Sequence, residues 1–140
     1  MSAYYMNEAA FDLPAGFVDR TVTHLEATTD DGGEVALLVE RHPIGPDETL
    51  SNAVARRMTE ARKETRGLTV LSERQIRVGD QPAIEVVSRW RDDDDIAYTR
   101  AVHWMAGTTL LIVAGESSFQ EREICDRVVE HVIGSIRPIH

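Results

Sequence analysis

Along most of the chain, apolar and polar residues alternate with a period of two, which is typical of β-strands that bury one face. Seven segments show this alternation or an apolar run of strand length, and turn-forming Gly, Pro and Asp residues separate most of them. The predicted strands are Tyr4–Pro14, Asp19–Thr28, Glu34–Arg41, Leu68–Val78, Pro82–Trp90, Ile96–Met105 and Thr108–Ala114. Most of the chain is therefore expected to form strands joined by short turns.

A first helix is predicted where the apolar residues recur every three or four positions. The stripe consists of Leu50, Val54, Met58 and Ala61. Asp47 or Thr49 is suited to cap the beginning of this helix, and Gly67 is suited to end it. The pattern thus places one helix between the third and fourth strands.

A second helix is predicted over Ser118–Ile136, where Ser118 and Glu121 fit a capping box. Its apolar stripe contains Cys125, which we interpret as a small buried residue rather than a nucleophile. Because this is the only cysteine, the sequence also excludes a disulfide framework and a cysteine-based zinc site.

The order of elements is β-β-β-α-β-β-β-β-α, and the short connections favour antiparallel pairing. We therefore predict an α+β fold with a curved, mainly antiparallel sheet of about seven strands and two flanking helices. A length of 140 residues is typical of one domain, so residues 1–140 are expected to form a single unit.

Two predicted strands are apolar on both faces, in the stretches Val35–Val39 and Leu110–Ala114. A sheet open to water on one side should alternate cleanly, so both sides of this part of the sheet are expected to be covered. One interpretation is a helix on each face, or a dimer. The other is an apolar face kept for a partner.

The charge of the chain excludes several partners. It has 15 basic and 24 acidic residues, a net charge of −9 that argues against nucleic acid or an anionic lipid surface. The longest apolar stretch, Leu110–Ala114, is far shorter than the ~20 residues needed to cross a bilayer. With no leader pattern at the N-terminus, we expect a cytoplasmic protein that does not insert into membranes.

No catalytic or cofactor-binding motif is visible in the sequence. The five histidines lack metal-ligand spacing, although His24 and His103 lie on predicted strands and could meet across the sheet. The run Asp92–Asp95 lacks the alternating ligands of a calcium loop and is interpreted as a solvated hairpin tip. We therefore expect a binding protein without a cofactor rather than an enzyme.

The N-terminal stretch Tyr5–Val22 resembles the opening of the DcrB-related family, and most closely its branch of Eag chaperones of bacterial type VI secretion. In that branch an N-E-x-x-(aromatic or apolar)-x-(L/I)-P element is followed by a short turn, an aromatic residue and D-x-(S/T)-(V/I). The matching positions are Asn7, Glu8, Phe11, Leu13, Pro14, Phe17, Asp19, Thr21 and Val22. The later order of elements also matches.

The resemblance implies a fold like that of PsbP and the Mog-type Ran-binding proteins. It also implies a cytoplasmic homodimer, without enzymatic activity or cofactor, that holds the hydrophobic transmembrane segments of PAAR- or Rhs-type effectors before export. A binding module of the same fold without secretion cargo is the alternative.

In this family the cargo lies on the sheet face carried by the first hairpin. By alternation, that face is expected to carry side chains from two neighbouring strands: Val22, His24, Ala36, Leu38 and Glu40. Arg100 is expected to reach the same face from the central hairpin, while Arg57 and Ala61 of the first helix are expected to form a wall. Each of these residues could instead be ordinary core or surface.

Overall fold

A computed structural model of the protein describes residues 2–5, 10–13, 22–28 and 32–137, with side chains in the last two ranges. Within these residues the chain forms eight strands and two α-helices. In chain order they are β1 (Ser2–Tyr5), β2 (Ala10–Leu13), β3 (Val22–Thr28), β4 (Glu34–Pro43), α1 (Leu50–Glu64), β5 (Thr69–Val78), β6 (Gln81–Asp92), β7 (Asp95–Ala106), β8 (Thr109–Ser118) and α2 (Arg122–Ser135).

Six of the strands form one antiparallel sheet in the order β3-β4-β8-β7-β6-β5. This confirms the α+β class and the antiparallel pairing expected from the short connections. The β5–β6, β6–β7 and β7–β8 turns each have two residues. In the β6–β7 turn Asp93 adopts a positive φ of 55°. Aspartate tolerates this left-handed conformation better than most residues, so the acidic tip is consistent with a two-residue hairpin.

The predicted first strand, Tyr4–Pro14, is wrong. Two short strands occupy this region and pair with each other, Ser2 opposite Leu13, in a sheet separate from the six-stranded one. A continuous strand cannot pair with itself in this way, so the main sheet has six strands rather than about seven. Asn7, a turn-forming residue type, falls between β1 and β2 but lies outside the described residues.

Helix α1 begins where the sequence predicted. The backbone N–H of Asn52 donates to Oγ1 of Thr49 at 3.1 Å, which makes Thr49 rather than Asp47 the N-terminal cap. Gly67 follows the helix with a φ of +67°, in the left-handed region that glycine adopts at no steric cost.

The predicted start of the last helix at Ser118 is wrong by four residues. β8 continues through Ser118, which pairs with Ala97 of β7, and a short 3-10 turn then leads into α2 at Arg122. Ser118 does contact Glu121, at 3.1 Å between Oγ and Oε1, but no side chain caps α2. Pairing on both sides of β8 therefore extends the strand into the segment whose sequence resembles a capping box.

The two helices cover opposite faces of the sheet, which confirms the interpretation of a helix on each face. Helix α2 packs on β8, β7 and β4, with Cys125 and Val129 fully buried. Helix α1 packs on β6 and β7 from the other side, with Ala53 and Val54 fully buried. The protein thus has three layers, helix, sheet and helix.

Candidate functional site

Helix α1 covers only part of its face of the sheet and leaves a groove beside it. Ala53 and Val54 in its first half are buried, but Met58 and Ala61 in its second half are only half-buried. The groove lies between this second half of α1 and the strands β4, β8, β7 and β6, and has a volume of about 470 Å³.

The floor of the groove follows from the register of the sheet. Opposite residues of paired strands point to the same face, and one such row crosses four strands. It consists of Leu38, Ala114, Ala101 and Val86. The two alanines in the middle of this row explain the depth of the groove, because larger side chains there would fill it.

The inner end of the groove carries a cluster of polar side chains, Glu40, His42, Arg57 and His103. Glu40 Oε1 lies 3.8 Å from Arg57 Nη2 and 3.5 Å from His42 Nε2. That His42 nitrogen is itself buried and makes no hydrogen bond with any of the described residues. This nitrogen lies beside the inner end of the groove, whose lining includes Glu40, Arg57 and His103 but not His42.

His103 lies at the floor of the groove and is buried. Its Nδ1 is 3.0 Å from the backbone oxygen of Ile84. A carbonyl oxygen can only accept, so Nδ1 carries the proton and donates. Burial lowers the pKa of His103, which keeps the ring neutral at neutral pH.

The outer end of the groove is lined by Trp90 and Glu116. Trp90 Nε1 donates to Oγ1 of Thr99 at 2.9 Å, which holds the indole against the sheet. Burial raises the pKa of Glu116, and the nearby carboxylates of Glu40 and Asp92 raise it further.

Four of the residues predicted to bind cargo line this groove: Leu38, Glu40, Arg57 and Ala61. Ala36 lies on the same face and lines a cavity that adjoins the groove. Val22 and His24 also lie on this face, opposite Glu40 and Leu38, but β3 is exposed along its whole length and they stand outside the groove.

The predicted position of Arg100 is wrong, because this residue lies on the opposite face of the sheet. It pairs with Gly115, one position from the row that lines the groove. Its guanidinium is buried against α2 and pairs with carboxylates of Glu85 at 2.9 Å and Glu130 at 3.1 Å. Although burial opposes the charge, these hydrogen bonds raise the pKa of Arg100.

His24 and His103 do not meet across the sheet. Both lie on the groove face, but β4 and β8 separate their strands, a distance of roughly 14 Å at the usual strand spacing. His24 Nε2 instead lies 3.1 Å from Glu26 Oε1. In the described part of the chain, no group of three His, Cys, Asp or Glu side chains is placed to hold a metal ion.

Several groove residues were not singled out as cargo-binding from the sequence, namely Trp90, Ala101, Ala114 and Glu116. Alternation along β8 places Ala114 and Glu116 on one face of that strand, but it does not identify which residues of β6 and β7 share this face. Only the strand order, with β8 between β4 and β7, brings β6, β7 and β8 beside the β3–β4 hairpin.

Neither helix described here combines the length and apolar character needed to span a bilayer.

Three solved structures share the fold. Protein PA94 of Pseudomonas aeruginosa, described as of unknown function, superposes with a TM-score of 0.80 at 16% identity, over 100% of this chain and 98% of its own. LpqN of Mycobacterium tuberculosis, involved in cell envelope biogenesis, gives 0.60 at 9% identity, over 76% of this chain and 65% of its own. The cyanobacterial PsbP of Synechocystis sp. PCC 6803 gives 0.58 at 14% identity, over 99% of this chain and 92% of its own.

The similarity to PsbP confirms the expected fold. Sequence identities this low carry no information about function. No protein with a curated function matches this sequence. The model of the DcrB family matches residues 8–127, which is most of the chain. The protein therefore belongs to the DcrB family.

Proposed function

We propose that this DcrB-family protein is an Eag-type chaperone, a cytoplasmic adaptor that shields the hydrophobic N-terminal helices of a PAAR- or Rhs-type effector before type VI secretion. The observation that carries the proposal is the open groove beside α1, whose floor is the apolar row from Leu38 to Val86. Val86 and Ala114 are buried in this row, but Leu38 and Ala101 remain partly exposed, and a partly open apolar floor is typical of a binding surface.

The chemistry of the groove suits an apolar helix. Exposing such a helix to water costs about 25 cal/mol per Å² of apolar surface, and a chaperone must remove that surface from water. Ala101 and Ala114 on the floor permit close approach of a helix backbone, as small residues do between membrane helices. Trp90 and Met58 add large apolar surfaces at the sides.

The proposal includes a homodimer. β3 is one of the two edge strands of the sheet, and it exposes Val22 on one face and Leu25 on the other, each about half accessible (51% and 52%). Apolar side chains on both faces of an exposed edge strand favour contact with another chain. A second copy would extend the surface that one groove offers to a long helix.

Co-expression with the N-terminal segment of an effector encoded beside this gene tests the proposal. We expect a stable complex that copurifies and keeps the apolar segment in solution, with two copies of this chain by light scattering. Ala101→Leu should fill the floor and reduce recovery of the complex, whereas Ala55→Leu on the exposed side of α1 should not. Absence of any complex with the unaltered protein would contradict the proposal.

The volume of the groove supports one alternative, a binding module of the PsbP-like fold without secretion cargo. About 470 Å³ falls within the range of small-molecule sites. A monomer that binds an apolar small molecule, and that forms no complex with an effector helix, would favour this alternative over the chaperone.

A further inference from the structure

The groove continues at its outer end into a second cavity, of about 400 Å³, and Trp90 and Glu116 line both. We call the second cavity the mouth. It is lined by the end of β3, the beginning of β4, the β6–β7 turn and the end of β8. Ala36, next to Leu38 on the same face of β4, also lines the mouth. The mouth is therefore a continuation of the groove.

The two ends of this continuous groove differ in charge. At the inner end, the carboxylate of Glu40 is balanced by Arg57, and His103 is neutral. The lining of the mouth, as described, contains six carboxylates and no Lys, Arg or His. They are Glu26, Glu34, Asp92, Asp95, Glu116 and Glu121.

Two arginines, Arg66 and Arg91, line the groove on the side of α1, next to the mouth. They are too few to balance the six carboxylates, so the mouth keeps an excess of negative charge. Burial raises the pKa of Glu116, and Asp92 of the mouth adds to this effect, although the nearby His24 lowers that pKa.

We propose that the groove binds an apolar helix in one direction, with a Lys- or Arg-bearing flank of that helix in the mouth. This inference rests on the proposed function. Apolar helices destined for a bilayer commonly carry Lys or Arg beside one end. Opposite charges at a protein surface attract more strongly than in bulk water, although salt screens exposed carboxylates such as Glu34, Asp92 and Asp95. Only one direction brings the flank to the carboxylates.

Three synthetic peptides test the direction with the full chain. They share one Leu-Ala helical core and carry Lys-Lys, Ser-Ser or Glu-Glu at one end. We expect the Lys-Lys peptide to bind about tenfold more tightly than the Ser-Ser peptide, and the Glu-Glu peptide to bind most weakly. The difference should shrink as the salt concentration rises, since salt screens exposed charges.

Two triple variants with the same change in net charge test whether the mouth causes the preference for the Lys-Lys peptide. Glu34→Gln, Asp92→Asn and Asp95→Asn together neutralise half of the mouth. The matched control neutralises three exposed carboxylates outside both cavities, through Glu73→Gln, Asp80→Asn and Glu123→Gln. The mouth variant should lose most of the preference for the Lys-Lys peptide, and the control should keep it within twofold.

A spin label at the Lys-Lys end gives the direction itself. It should broaden the amide NMR signals around Asp93, at the mouth, and leave those around Arg57 unchanged. If the three peptides bind equally well, or the label broadens both regions, the direction is wrong and the chaperone proposal still stands. If no peptide binds the unaltered protein, both the direction and the proposed function fail.

Discussion

The two faces of the same sheet differ in how completely a helix covers them. On one face, α2 lies across β8, β7 and β4, and fully buried Cys125 and Val129 join one large apolar core. On the other face, α1 is anchored by Ala53 and Val54 and leaves the sheet beyond them partly open. The strands supply apolar side chains to both faces, so the helices decide which face is closed.

The polar groups of the two faces differ in how completely they are paired. Under α2, the buried pair Arg100 and Glu85 is completed by Arg74, Asp126 and Glu130, so every charge has a partner. Beside α1, the polar cluster borders an open groove, and a buried nitrogen of His42 has no hydrogen bond among the described residues. The α2 face is complete in itself, whereas the groove has room for another molecule.

The largest expected effect comes from breaking the ion pairs of the closed face. Arg100→Met leaves the buried Glu85 carboxylate with only the exposed Arg74 as a partner. We expect a loss of about 3 kcal/mol in the free energy of unfolding, measured by urea denaturation. Arg74→Met is the control, and it should cost less than about 1 kcal/mol. Equal losses would show that the network is not what seals this face.

The second effect concerns the close approach of α2 to β8 at Gly115. A Cβ there would lie 2.5 Å from Val129 Cγ2 and 2.9 Å from Cys125 Sγ. Gly115→Ala should therefore destabilise the protein by about 2 kcal/mol through overpacking. Gly134→Ala, in the same helix with open space around it, should stabilise by up to ~1 kcal/mol. Thermal unfolding of both variants checks the opposite signs.

The third effect is a pH dependence that arises on the open face. Burial lowers the pKa of His103 in the folded state, so below about pH 6.5 the unfolded chain takes up a proton that the folded chain does not. His103 should therefore cause a loss of stability as the pH falls below about 6.5, with a slope of at most about 1.4 kcal/mol per pH unit.

Urea denaturation at pH 7.5 and pH 5.5 measures this dependence against a variant. His103→Asn keeps a donor for the backbone oxygen of Ile84 but cannot titrate. It should lose less stability between the two pH values than the unaltered protein. An identical loss in both proteins would assign the pH dependence to other groups.

The smallest effect on stability is expected at β3. Val22 and Leu25 are about half exposed, so Val22→Ser and Leu25→Ser should each change the free energy of unfolding by less than about 0.5 kcal/mol. Light scattering should nevertheless show weaker self-association if β3 contributes to a dimer. A large loss of stability at low protein concentration would mean that these side chains are buried within the monomer.

The sequence predicted the elements of the main sheet because alternation is a local pattern. Helix α1 followed from spacing, and residue type limited its cap to Asp47 or Thr49, of which the structure selects Thr49. The end of β8 was mispredicted because pairing with distant segments decides it. β8 extends through Ser118 because it has partners on both sides, which no local pattern near Ser118 encodes.

The site was predicted as far as alternation extends along one hairpin. Leu38 and Glu40 were placed on the correct face, because β4 alternates regularly from Val35 onward. Arg100 was placed on the wrong face, because the expected contact depended on the register of β7 relative to the β3–β4 hairpin. That register is set through β8, which lies between them and is distant in sequence from both.

An apolar helix should bind the groove beside α1 and not the face covered by α2. An NMR titration of the full chain with the Lys-Lys peptide tests it most directly. We expect signal changes confined to the groove and the mouth, at Leu38, Ala101, Ala114, the second half of α1 and the residues around Asp93, with Cys125 and Val129 unaffected. Changes centred on α2, or no changes at saturating peptide, would contradict the account.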